Sequence, residues 1–152
     1  MAIADSDIQR LLDERDIHRA VVRYATAVDS REWELMNDVF VADAEVDFGH
    51  SVTTVGVEEC VKIIRATEDK ITVSQHLLGN HAIDVDGDIA TSTTKFQAQH
   101  YSIQKTGPNT YQIGGTYHDR LRRTEAGWRI THRYIEPTWY DGNAGVFSHV
   151  GS

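Results

Sequence analysis

The chain of 152 residues contains one cysteine, Cys60, and only two prolines, Pro108 and Pro137. A lone thiol excludes an internal disulfide. Both prolines fall late, and no repeat, low-complexity tract or Pro/Gly/Ser-rich linker interrupts the chain, so residues 1–152 are expected to form one domain. Long apolar runs are also missing: no stretch approaches the roughly 18 residues of a membrane span. The start, "MAIADSDIQRLL", lacks a basic region leading into an apolar one, which argues against a signal peptide and makes a cytoplasmic location the default. Positive charge is scarce. Fifteen Lys and Arg against 23 Asp and Glu leave a net charge of −8, which disfavours nucleic acid and anionic membranes as partners. The densest basic run, "RLRR" (120–123), has Asp119 and Glu125 nearby and reads as a solvated strand face.

What is present is enough for a globular core. Apolar residues make up 40% and charged residues 25%, and a chain of this length buries roughly 68–70% of its unfolded surface. Ile17, Val21, Tyr24 and Val28 recur at spacings of four, three and four, one face of a helix, which Asp5 or Ser6 is placed to cap. Ser30 is placed to cap a short second helix carrying Trp33, Met36, Val39 and Phe40. "AEVDFG" (44–49) alternates as a strand does, and "GVEECVKIIRATEDK" (56–70) reads as a third helix. From about residue 72 the period becomes two. Long strands over 88–105, 110–123 and 128–140 are separated by the turns "TGPN" and "TEAG", and "DVDGD" precedes the first of them. Helices followed by a meander of antiparallel strands predict an α+β fold, the helices packed on one face of a curved sheet. "GG" at 114–115 lies within a strand and predicts a bulge or bend.

Alternation along the strands places Phe96, Ala98 and His100 on one face, Tyr111, Ile113, Tyr117 and Leu121 on another, and Trp128, Ile130, His132 and Tyr134 on a third. Polar aromatic groups thus stand where a core built for stability alone would more often use Val, Ile or Leu. Asp29, about 100° round the helix from the apolar stripe, either lies at the rim of a chamber between helix and sheet or simply ends the helix. His76, in "TVSQHLLGN" (72–80), is either a catalytic base in an apolar chamber, a core histidine bonded to a carbonyl, or a surface residue. Metal binding finds no H-x-x-x-H or H-E-x-x-H pattern. Cys60 sits on an apolar helix face and reads as packing. No G-x-S-x-G and no glycine-rich phosphate loop occurs. The inventory suits general acid–base chemistry without a cofactor. A carboxylate on one ring nitrogen of a histidine fixes its tautomer and stabilises its protonated form.

The order of elements, together with "VDSREWELM" (28–36), "SQHLLGN" (74–80), "FQAQHYSI" (96–103) and "GWRITHRYIEPTW" (127–139), resembles the SnoaL-like, nuclear transport factor 2-like superfamily over roughly residues 10 to 140. Within it the sequence is most similar to scytalone dehydratase, with weaker likenesses to bile acid 7α-dehydratase and hexachlorocyclohexane dehydrochlorinase. The resemblance implies a cone-shaped α+β barrel. It also implies a catalytic aspartate at Asp29, a catalytic histidine at His76 and a second active-site histidine at His100. The surrounding shell departs from scytalone dehydratase, since two of its tyrosines fall on Val28 and Phe48, and its cavity asparagine falls near Tyr117. Tyr24 matches a tyrosine of the bile acid enzyme. The dehydrochlorinase has an active-site arginine on its last strand, where the nearest positions are His132 and Arg133, and alternation favours His132 facing inward. The resemblance therefore implies a lyase or isomerase acting on a small, mostly apolar cyclic molecule, with Tyr24, Val28, Phe48, Tyr117 and His132 around the substrate. It also implies a homo-oligomer, a trimer or dimer. The same fold serves as a non-catalytic binding or structural module, as in the β subunits of ring-hydroxylating dioxygenases, and a filled core would mark that alternative.

Overall fold

The computed structural model describes residues 4–148. Two α-helices, α1 (Asp5–Ser30) and α2 (Val57–Glu68), precede or interrupt six strands: β1 (Phe40–Asp47), β2 (Thr53–Val55), β3 (Val73–Asp86), β4 (Ile89–Tyr101), β5 (Thr110–Thr124) and β6 (Gly127–Gly142). They form one sheet in the order β2-β1-β6-β5-β4-β3. Every pairing is antiparallel except β1 with β6, which is parallel. The architecture is therefore the expected α+β one, with helices packed on a curved, mostly antiparallel sheet. Among the described residues no helix is long and apolar enough to cross a membrane.

The stripe read from the sequence is the buried face of α1: Ile17, Val21, Tyr24 and Val28 are all buried. Ile17, Tyr24 and Val28 join one core cluster with Phe40 and Val46 of β1 and with Tyr117, Leu121 and Ile130 of the sheet. The strict alternation of β4, in which every second side chain from Ala90 to His100 is buried, covers the same core from the other side. In the N-terminal half of α1, Asp13 accepts from the two terminal guanidinium nitrogens of Arg123 at 2.6 and 2.8 Å and from the Trp128 indole N–H at 3.1 Å, fastening helix to sheet.

Three local expectations give way. Ala4 occupies the N-cap of α1 without a side-chain cap, and Asp5 is already helical. Ser30 stays inside α1, its hydroxyl donating to the Thr26 carbonyl, and the short second helix is a 3₁₀ turn over Trp33–Asp38. Phe40, read as part of that helix, begins β1, where it pairs with Ile130.

The fourth correction bears on function. Leu121 pairs with Ile130 while Arg120 pairs with His132, which leaves Thr131 as an extra residue in β6. Its hydroxyl donates to the Arg120 carbonyl at 3.1 Å. A bulge of one residue reverses which face later side chains occupy. Trp128 and Ile130 point into the core as expected, but beyond the bulge Arg133 takes the inward place with no exposed surface. His132 turns to the outer face, with its Nε2 3.6 Å from Glu45. A second bulge lies at Thr138, opposite Gly114 and Gly115. A Cβ at Gly115 would stand 2.2 Å from the Glu136 carbonyl oxygen and 2.8 Å from Phe96, so glycine is required where β5 and β6 approach each other.

Candidate active site

Helix α1 ends where the site begins. Arg31 closes it in the left-handed conformation (φ 58°), its N–H bonding to the Val28 carbonyl. The Arg31 guanidinium reaches across to the carbonyls of Glu68 at 3.0 Å and Ile71 at 2.8 Å. That clamp fixes the end of α1 against the end of α2 and the start of β3, and so sets Asp29 beside β3. A carboxylate in the last turn of a helix opposes the helix dipole. Here β3 offsets the cost by supplying three donors: the His76 backbone N–H to Oδ2 at 2.8 Å, the His76 ring through Nδ1 to Oδ1 at 2.7 Å, and the Ser74 hydroxyl to Oδ1 at 3.3 Å.

A carboxylate only accepts, so His76 Nδ1 carries the proton in this pair, and Nε2 is the ring's free acceptor. The His76 ring is held on a second side by Tyr24, edge-to-face at 6.4 Å between centroids, and on a third by His100 at 6.3 Å. These rings border a cavity of about 310 Å³ between α1, α2 and the sheet. Tyr24, Val28, Phe48, His76, His100 and Tyr117 all line it, Ile63, Ile64, Thr67 and Glu68 of α2 form another wall, and His50 and Tyr140 stand at its margin. Asp29 sits behind His76, one quarter exposed. His132 is absent from this cavity and lines an outer depression with Asp47, His118 and Tyr134 instead.

The walls are mostly apolar, and burial acts on their polar groups. It pushes the Tyr24 and Tyr117 hydroxyls well above their ordinary values, so both stand as neutral donors. It pushes the His100 ring down to about 4, aided by the nearby His76 and opposed by a hydrogen bond from His100 to the Tyr111 carbonyl. A carbonyl only accepts, so that bond, at 3.3 Å from Nδ1, leaves the neutral ring with a bare Nε2. The Cys60 thiol is pushed up to about 11 by burial beneath the core, consistent with packing rather than attack.

Beneath the two tyrosines lies a charge. Arg133 sits 4.4 Å from the centre of the Tyr24 ring and 4.3 Å from that of Tyr117, and it pairs in fork geometry with Asp119 at 2.7 Å twice over. Burial alone would lower the guanidinium's pKa; the Asp119 carboxylate more than offsets this and keeps it charged. The sequence contains a signal for this inward arginine. Apolar positions in the last strand shift from even numbers (Trp128, Ile130) to odd ones (Ile135, Pro137), which marks a bulge between them. The buried Glu68 and Asp119 had no comparable signal. Among the described residues no group of three or more His, Cys, Asp or Glu side chains is arranged to hold a metal ion.

Residues 9–134 match the model of the SnoaL-like domain. An uncharacterized protein of Mycobacterium tuberculosis H37Rv is 28% identical over 128 residues, covering 83% of this chain and 86% of its own. Among solved structures, a protein of Kribbella flavida superposes with a TM-score of 0.84 at 22% identity, over 91% of this chain and 98% of that one. A hexachlorocyclohexane dehydrochlorinase of Novosphingobium barchaimii superposes with a TM-score of 0.79 at 16% identity, over 91% and 95%. At these identities the structural likeness shows a shared fold.

Proposed function

The chain belongs to the SnoaL-like domain family, and from that premise we propose that it is a cofactor-independent lyase or isomerase that removes a proton from carbon in a small, mostly apolar cyclic substrate. The observation that carries this reading is the Asp29–His76 pair, joined at 2.7 Å on the wall of the cavity. His76 Nε2 takes the substrate proton as general base. Asp29 holds the ring in the required tautomer and stabilises the imidazolium that forms. The electron pair left behind develops as negative charge on a neighbouring carbonyl or expels a leaving group. The neutral hydroxyls of Tyr24 and Tyr117 stand ready to donate to that charge, and Arg133 lies behind their rings. The family likeness to a dehydrochlorinase structure supports elimination as the reaction class. A non-catalytic module would fill the space between helices and sheet; the open cavity of about 310 Å³ favours an enzyme.

Proton abstraction can be tested without the natural substrate. The bicyclic ketone 2-tetralone has acidic C–H bonds, and their exchange for solvent deuterium is read by NMR. The expected result is exchange above the buffer background in the native chain, reduced at least about tenfold in His76→Gln, in line with the roughly 10²–10⁴-fold contribution of general acid–base catalysis. Asp29→Asn is expected to lower it as well. Full activity in His76→Gln rules the base assignment out.

A further inference from the structure

Glu68 is the last residue of α2, 3% exposed, with its Oε2 buried and lacking a hydrogen-bond partner among the described residues. Its Oε1 lies 3.7 Å from His100 Nε2. That gap is too long for a direct hydrogen bond and is the kind of separation that a bridging polar atom spans. Both side chains line the cavity that contains His76. His100 is anchored through Nδ1 to the Tyr111 carbonyl, so its Nε2 is an acceptor. Burial pushes the Glu68 carboxyl up, Ser74, His76 and Arg31 only partly opposing it, which favours the protonated acid, a donor. A carboxyl shifted toward its donor form and a ring acceptor thus face one cavity from α2 and β4, unjoined to each other.

We propose that Glu68 and His100 form a hydroxyl-binding station, which selects ring substrates bearing an alcohol or phenol group. A hydroxyl complements both partners: its O–H donates to His100 Nε2 while its oxygen accepts from the Glu68 carboxyl. A carbonyl or ether satisfies only Glu68, and an unsubstituted ring leaves Glu68 and His100 desolvated without partners, which is how a polar pocket rejects an analogue that lacks the group. The station lies beside the base, with the His100 and His76 rings 6.3 Å apart, so a substrate held here places ring carbons within reach of His76. The inference rests on the proposed His76–Asp29 site for that last point, but the selection itself is a property of binding.

Equilibrium dialysis of 2-naphthol and naphthalene against the native chain reads the selection directly. The expected result is 2-naphthol bound at least about tenfold more tightly. In Glu68→Leu the ratio is expected to fall below about threefold, and in Glu68→Gln, whose amide retains a donor and an acceptor, to stay close to the native one. Circular dichroism confirms that the variants are folded. A native ratio near one, or a ratio unchanged in folded Glu68→Leu, overturns the station. His76→Gln keeps the ratio if the station is right even when the base assignment fails, so the two readings fall separately.

Discussion

Removing Asp119 tests how the buried charge beneath the cavity is maintained. Neither Asp119 nor Arg133 exposes any side-chain surface, and among the described residues the guanidinium's hydrogen bonds are these two of 2.7 Å, Nη1 having no partner there. Asp119→Ala leaves a cation in the core supported only by the faces of Tyr24, Tyr117 and, at 5.7 Å, Phe40. Breaking a buried pair from one side costs about 3–5 kcal/mol, since the remaining charge has neither water nor counter-ion. For a chain of this size each kcal/mol lowers the melting temperature by about 2–4 °C, so the expected fall is about 6–20 °C. Thermal unfolding followed by tryptophan fluorescence measures that fall, and urea unfolding measures the free energy. Asp88→Ala is the reference: Asp88 pairs with Arg123 at 2.8 Å but is 82% exposed, and its loss is expected to cost less than about 1 kcal/mol. The double variant Asp119→Leu/Arg133→Met removes the charge as well as its partner and is expected to recover most of the stability. It should also lower deuterium exchange, because the charge behind Tyr24 and Tyr117 is gone. An Asp119→Ala chain within about 1 kcal/mol of native, or a double variant no more stable than the single, refutes the argument.

Two further outcomes follow from packing and titration. Asp13 is held down to about 2, chiefly by its hydrogen bonds from Arg123 and also by the Trp128 indole, with burial opposing. A depressed carboxylate pKa stabilises the fold fully above its unfolded value near 3.8 and loses that contribution as pH falls through about 2. The difference corresponds to about 2 kcal/mol; Asp13→Asn is therefore expected to flatten stability between about pH 4 and 2 in urea titrations, and an unchanged slope counts against the pairing. Gly115→Ala sets a methyl 2.2 Å from the Glu136 carbonyl oxygen. Backbone must move to admit it, at a cost of about 1–3 kcal/mol, whereas Gly87→Ala, with nothing within 4 Å but φ at 60°, tests conformational strain alone.

Much of the fold was legible because its signals are local. The α1 stripe is a contiguous periodicity, and β4 alternates without a break over 13 residues. Candidate site residues on such regular elements were placed on the right faces: His76, His100, Tyr24, Val28 and Tyr117 all line the cavity. The last strand failed because alternation carries a phase, and one inserted residue reverses it for everything downstream. Thr131 is an ordinary strand residue whose role as a bulge depends on the Arg120 carbonyl it bonds across the sheet, so His132 and Arg133 exchange faces without any change in local propensity.

The sequence by itself determined the helical stripe, the period-two strands, the negative charge and the order in which aspartate, histidine and second histidine appear. Tertiary structure alone decided three things. It joined Asp29 to His76 across 47 positions, through the clamp of Arg31 on the carbonyls of residues 68 and 71. It set the rings of Tyr24 and Tyr117 over the Arg133 guanidinium, at 4.4 and 4.3 Å. It also brought Glu68, the final residue of an amphipathic helix, to within 3.7 Å of His100. Each depends on contacts between elements distant in the chain, where a side chain's environment is fixed by what packs against it rather than by its neighbours in sequence.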